Sequence, residues 1–179
     1  LGTLTINGGT ITLDSTTAKV GFVTTILGEG GTLTLNGPTV GTGNPLNNRL
    51  GGTTSVLSPT PDRLLSMRGG ALNYYGVTGT NVSEALNVVT LLEGASKWDL
   101  YSSDSQTVIT VGTMSAASTT NRGTLTIEAH SALGGAAPGS GVVNVIASSQ
   151  AAANLVGTGT GKSLGIRPDI IGIDSSGSG

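Results

Sequence analysis

The sequence predicts an all-β protein, a right-handed parallel β-helix, with a β-sandwich as the competing fold. Three observations carry that expectation. A segment of alternating threonine and aliphatic residues occurs three times, as Gly2-Thr3-Leu4-Thr5-Ile6, Gly31-Thr32-Leu33-Thr34-Leu35 and Gly123-Thr124-Leu125-Thr126-Ile127. Such alternation is the period-2 signature of a half-buried strand. The first two copies run into Asn7-Gly8 and Asn36-Gly37, dipeptides that tolerate the positive φ of a sharp turn. A similar apolar, x, apolar element returns about every 30 residues, at Leu4, Leu33, Leu65, Leu91 and Leu125, the range in which internal repeats signal solenoids or arrays.

Composition points the same way. Over 179 residues the chain has 10% charged residues and 30 glycines, against roughly 25% charged and ~7% glycine in ordinary domains. Charged helical faces are therefore scarce and turns frequent. Eight Lys and Arg scattered through a chain of net charge −2 leave no basic patch, so nucleic-acid binding lacks its main electrostatic term. The absence of cysteine excludes a disulfide framework and a thiolate metal site. Apolar runs of only a few residues predict no membrane insertion. A start at Leu1 without Met, basic region or apolar leader predicts a mature segment cut from something longer.

Taken in order, the second strands of the repeats are expected at Thr10 to Leu13, Ala71 to Tyr75, Lys97 to Tyr101, Thr107 to Val111 and Val142 to Ala147, each bounded by Gly, Asn, Ser or Pro. Ser83 to Leu92 is the one stretch with helical spacing, but its β-branched Val88-Val89-Thr90 draws it back to strand. Stacking at about 4.8 Å per coil predicts core ladders of Leu4, Leu33, Leu65 and Leu125 and of Ile6, Leu35, Met67 and Ile127. It also predicts Asn7 above Asn36 at one corner, unless each is an ordinary turn residue. Residues 1–173 form the repeat module, with a loop excursion at 41–62 containing Pro45, Pro59 and Pro61. Residues 174–179 have linker composition.

With these residues laid out, the chain resembles the autotransporter-associated β-strand repeat family, also called passenger-associated transport repeats, of long bacterial surface proteins. Gly31-Thr32-Leu33-Thr34-Leu35-Asn36-Gly37 is similar to its core motif. Asn121-Arg122-Gly123-Thr124-Leu125-Thr126-Ile127, followed by Leu133-Gly134-Gly135-Ala136-Ala137-Pro138-Gly139, resembles a longer module of those proteins. Ser83-Glu84 leading to Val89-Thr90-Leu91, and Gly165-Ile166-Arg167-Pro168 leading to Ile171-Gly172, resemble its other segments. The resemblance implies an extracellular, outer-surface β-helical segment with a structural or adhesive role and no shared catalytic residues.

Candidate chemistry is sparse. Gly157-Thr158-Gly159-Thr160-Gly161-Lys162-Ser163 approaches a phosphate-binding loop, but Val156 takes the first glycine position and Gly165 and Pro168 spoil the following helix; a turn between strands is the plainer reading. Asp99, Glu128 and His130 lie about one coil apart, which makes them the best catalytic trio for a polysaccharide-cleaving enzyme, against solvated side chains on a strand exterior. A lone histidine beside one carboxylate is too little for a metal, and no cofactor is expected. Asn81-Val82-Ser83 fits a glycosylation pattern that chance often produces. Tyr74, Tyr75, Trp98 and Tyr101 gather four of the five aromatics into one candidate binding cluster for glycans or another subunit; filling the solenoid interior is the alternative. Because Tyr74 and Tyr75 alternate, one must point outward. The expected function is a non-enzymatic structural segment whose partner is itself, end to end or through further repeats, with a carbohydrate-binding adhesive module as the alternative.

Overall fold

Local alternation becomes strand wherever one face finds a neighbour to bury it. The computed structural model describes residues 2–14, 18, 20, 24–36, 47–50, 64–76, 81–102, 106–116, 123–130, 132–133, 142–150 and 168–173. Among them run β1 (Thr3–Ile6), β2 (Gly9–Leu13), β3 (Thr24–Leu27), β4 (Gly31–Leu35), β5 (Leu64–Met67), β6 (Ala71–Tyr75), β7 (Val82–Leu91), β8 (Ala95–Tyr101), β9 (Thr107–Ala116), β10 (Thr124–Ala129), β11 (Ala132–Leu133), β12 (Val142–Gln150) and β13 (Ile170–Ile173). The first sheet has the order β1-β3-β5-β7-β9-β12-β11 and the second β13-β10-β8-β6-β4-β2. Every pairing is parallel.

From β1 to β10 the chain alternates between the sheets, laying one strand on each per coil. This is a parallel β-solenoid of two unclosed sheets, and an antiparallel sandwich is excluded. Right-handed coiling is the sense that parallel crossovers strongly prefer. The alternation breaks after β11, because the short β11 and the following β12 both lie on the first sheet, β11 outermost. Ser83 to Leu92 contains no helix: β7 covers it to Leu91, because β-branched side chains pack well on a pleated surface.

The corners stack as closely as the strands. The Gly28, Arg68 and Leu92 N–H groups donate to the Ile6, Leu27 and Met67 carbonyls of the preceding coil at 2.9, 2.7 and 2.9 Å. A Cβ on Gly31 would sit 2.0 Å from the Ile6 carbonyl oxygen, so only glycine fits there. Gly94 turns with φ 77° directly against Gly69, itself at φ 73°, which an L side chain resists.

Register rearranges the predicted ladders. Leu4 and Leu65 belong to the first sheet and both pair with Thr25, while Leu33 and Leu125 belong to the second. The rows that form are Ile6-Leu27-Met67-Leu91 on the first sheet and Ile11-Leu33-Leu72-Trp98-Ile127 on the second. Of the eight expected core residues, Ile6, Leu33, Leu35, Leu65, Met67, Leu125 and Ile127 are buried, and Leu4 packs partly buried against them. Each fully buried aliphatic side chain contributes roughly 1.5–3 kcal/mol.

The asparagine corner also divides. Asn7 follows β1 and its side chain lies over Gly28, whose added Cβ would strike it. Asn36 follows β4 and its Nδ2 donates to Asp14 Oδ1 at 2.9 Å. The two asparagines sit at the ends of strands of different sheets and form no ladder. Of the excursion at 41–62, the described residues 47–50 turn back into the body, with Asn48, Arg49 and Leu50 all buried. The glycine-rich stretch 157–163 and the linker 174–179 lie outside the described residues.

Candidate functional site

Strand parity decides which side chains are available for chemistry. In β6, β8 and β10, Leu72, Tyr74, Trp98, Leu100, Leu125, Ile127 and Ala129 face inward. The intervening residues project from the outer face of the second sheet, and parallel register sets like beside like. Asn73, Asp99 and Glu128 form one row. Tyr75 pairs with Tyr101, and His130, just past β10, continues their column through its N–H bond to the Leu100 carbonyl.

Tyr75 and Tyr101 stack with centroids 4.4 Å apart, and Tyr101 and His130 stack at 3.9 Å with ring planes 2° apart. Tyr101 is therefore covered on both faces. Trp98, by contrast, is fully buried and Tyr74 is 2% exposed. The four-aromatic cluster is thus split by parity: Tyr74 and Trp98 fill the interior, while Tyr75 and Tyr101 stand outside.

Beside the ring column lies a compact charged group. Lys97 Nζ is 3.1 Å from Asp99 Oδ2 and 2.7 Å from Glu128 Oε2. On the opposite side of the same carboxylates, His130 Nε2 meets Asp99 Oδ1 and lies 3.8 Å from Glu128 Oε1. The Lys97 ammonium is held above its ordinary pKa first by its hydrogen bond to Glu128, with Asp99 adding to it against the cost of burial. Tyr101 is raised by burial and then by the Asp99 charge. Asp99, Glu128 and His130 offer three ligand atoms within 4.8 Å of one another. The sequence spacing places the trio about one coil apart but does not show that Lys97, two residues before Asp99 on the same face of β8, bridges both carboxylates.

A second polar cluster is buried, and nothing in the sequence marks its members as partners. Glu84, 1% exposed, sits on the inner face of β7. The backbone N–H groups of Arg49 and Leu50 donate to its two carboxylate oxygens at 2.7 and 3.0 Å, and Tyr74 Oη lies 3.4 Å away. The Arg49 guanidinium donates to the carbonyls of Leu13, Asn36 and Ala18, knitting residues 47–50 to the first coils. Burial pushes Glu84 up to about 7 against these hydrogen bonds and the nearby Arg49 charge. Burial also lowers Arg49 and, together with the Glu84 charge, raises Tyr74 well above the usual phenol value.

Two smaller features complete the polar surface. A corner hollow of about 300 Å³ is lined by Glu29, Arg68, Gly69, Glu93, Gly94 and Ala95, and its Arg68–Glu93 pair, 3.1 Å apart, is more than half exposed. Asn81, of the glycosylation pattern, accepts the Gln106 N–H through Oδ1 at 2.9 Å. No helix among the described residues is long and apolar enough to cross a membrane. Compared with protein-family models, curated proteins and solved structures, the chain has no match in any of the three.

Proposed function

We propose that this solenoid is a structural segment of an extracellular bacterial surface or fibre protein, joined end to end by further coils of its own polypeptide or of a second copy. One observation carries the reading. β1 and β2 are the outermost strands of their sheets at the same end of the solenoid. Nothing among the described residues pairs their outer edges, and the core row stops at Ile11, 38% exposed, whereas its next member Leu33 is fully buried. An unpaired parallel edge with an open apolar row is a template for another strand, and solenoid coils draw their stability from neighbours. The resemblance of the repeated motifs to autotransporter-associated repeats supports the surface location. The role is mechanical rather than enzymatic, with no cofactor.

The test is electron microscopy and sedimentation of the purified chain across concentrations, beside Thr12→Pro, which removes an N–H from β2. Fibres or axial oligomers that shorten in the variant are the expected result. A chain that stays monomeric and soluble at high concentration would sink the reading.

Glycan adhesion has one supporting observation, the outward Tyr75 and Tyr101. Sugar rings bind aromatic faces, however, and both faces of Tyr101 are already covered. Retention on a glycan array that Tyr75→Ala abolishes would reverse this preference.

A further inference from the structure

We infer that Asp99, Glu128 and His130 form a binding site for a divalent first-row transition ion of the Zn²⁺ class on the outer face of the second sheet. The site is assembled by register. Asp99 and Glu128 are direct partners on the adjacent strands β8 and β10, and His130 follows Glu128 by two residues, on the same face.

The orientation of each donor comes from outside the trio. Tyr101, itself stacked on Tyr75, holds the imidazole plane by stacking at 3.9 Å and 2°, leaving Nε2 directed at the carboxylates. Lys97 takes Asp99 Oδ2 and Glu128 Oε2, so the remaining oxygens, Oδ1 and Oε1, converge on Nε2. A cation thus already bridges one edge of the carboxylate pair, and the other edge presents two oxygens and one nitrogen to a common point. Donors around a tetrahedral ion with bonds of about 2.0–2.2 Å stand roughly 3.3 Å apart. The three ligand atoms stand within 4.8 Å of one another, with Glu128 and His130 3.8 Å apart, so an ion would draw Glu128 in and part Asp99 and His130 from their direct contact.

The donor set selects the class of ion. One imidazole with two carboxylates suits zinc and its neighbours, whereas Ca²⁺ wants six to eight oxygens. Three protein ligands leave a fourth position for water. Because the ligands come from two successive coils, the ion would clamp β8 to β10 and stabilise the folded state by mass action.

The experiment is calorimetric titration of the whole chain with Zn²⁺ alone, beside Ca²⁺, with Tm measured on the same samples and a Co²⁺ visible spectrum as an independent readout. Saturable binding of one Zn²⁺, a higher Tm and a ligand-field spectrum are expected. His130→Gln, at an exposed position, and Glu128→Gln, at a half-buried one on the outer face, should keep the β-sheet circular dichroism and weaken binding at least tenfold. No saturable binding up to about 1 mM Zn²⁺, the weak end of the affinity scale, would overturn the inference. So would equal affinity in His130→Gln, or Ca²⁺ binding as tight as Zn²⁺.

Discussion

Two polar clusters in this solenoid contain similar groups and differ in which side of a strand they occupy. Glu84, Tyr74 and Arg49 lie inside the coil; Glu128, Asp99, Tyr101 and Lys97 lie outside the second sheet. Inside, the carboxylate is held by backbone N–H groups and burial raises its pKa to about 7. Outside, the carboxylates are met by a lysine ammonium that water also reaches. Tyr74 and Tyr75, neighbours in sequence, divide between the two environments. One step of strand parity turns the same chemistry from a determinant of stability into a surface open to ligands.

The comparison breaks first at the interior. Trp98 is fully buried, and its indole N–H has no partner among the described residues, so its contribution is apolar packing. Trp98→Ala should cost about 3–5 kcal/mol in chemical denaturation. A cost under about 1 kcal/mol would mean that the second-sheet core is not packed as described. Glu84→Ala comes next, at about 2–4 kcal/mol, because it leaves two buried N–H groups without an acceptor and opens a cavity.

The same carboxylate sets a pH dependence whose sign is opposite to that of a salt-bridged acid. With its folded pKa raised from 4.5 to about 7, the native state binds more protons than the unfolded state between those values. Glu84's contribution is then fully present below about pH 4.5 and diminishes as pH rises through 7, by an amount on the order of 3 kcal/mol. Urea midpoints at pH 5 and pH 8 should differ accordingly, and Glu84→Gln should flatten the difference. A Glu84→Gln profile identical to that of the parent would assign the titration elsewhere.

Outside, effects should be smaller. Tyr101→Ala removes two ring contacts, each worth about 0.5–1.5 kcal/mol, and should lower the thermal midpoint by only a few degrees. Lys97→Met should change stability by less than about 1 kcal/mol, since exposed ion pairs are screened; a loss comparable to that of Glu84→Ala would erase the distinction between the clusters.

Much of the local structure was legible. Ala71 to Tyr75 was expected as a strand and is β6, and the outward turn of one tyrosine follows from alternation alone. Thr24–Leu27 follows no recurring motif, and its parallel partners β1 and β5 are what make it the strand β3. The motif Ser83-Glu84 carries no sign of burial, for an acidic residue in an alternating strand normally faces water. Its inward position depends on Arg49 and Leu50, far away in sequence, supplying the N–H groups that make burial tolerable.

Alternation, turn dipeptides and low charge were enough by themselves to determine half-buried strands, tight glycine corners and a repetitive β architecture, because those preferences act within a few residues; that the strands pair in parallel was not among them. Which coil lies on which was decided only by the tertiary structure. Leu4 and Leu33 occur in the same Gly-Thr-Leu-Thr motif, yet one belongs to each sheet, because sheet identity depends on how many corners the chain has passed. Connections between coils vary, from Gly9 pairing with Gly31 to Leu125 pairing with Ile170. Loop closure costs little more as loops lengthen, so no sequence period enforces the register. The burial of inward rows enforces it instead, and with it the meeting of Asp99, Glu128 and His130.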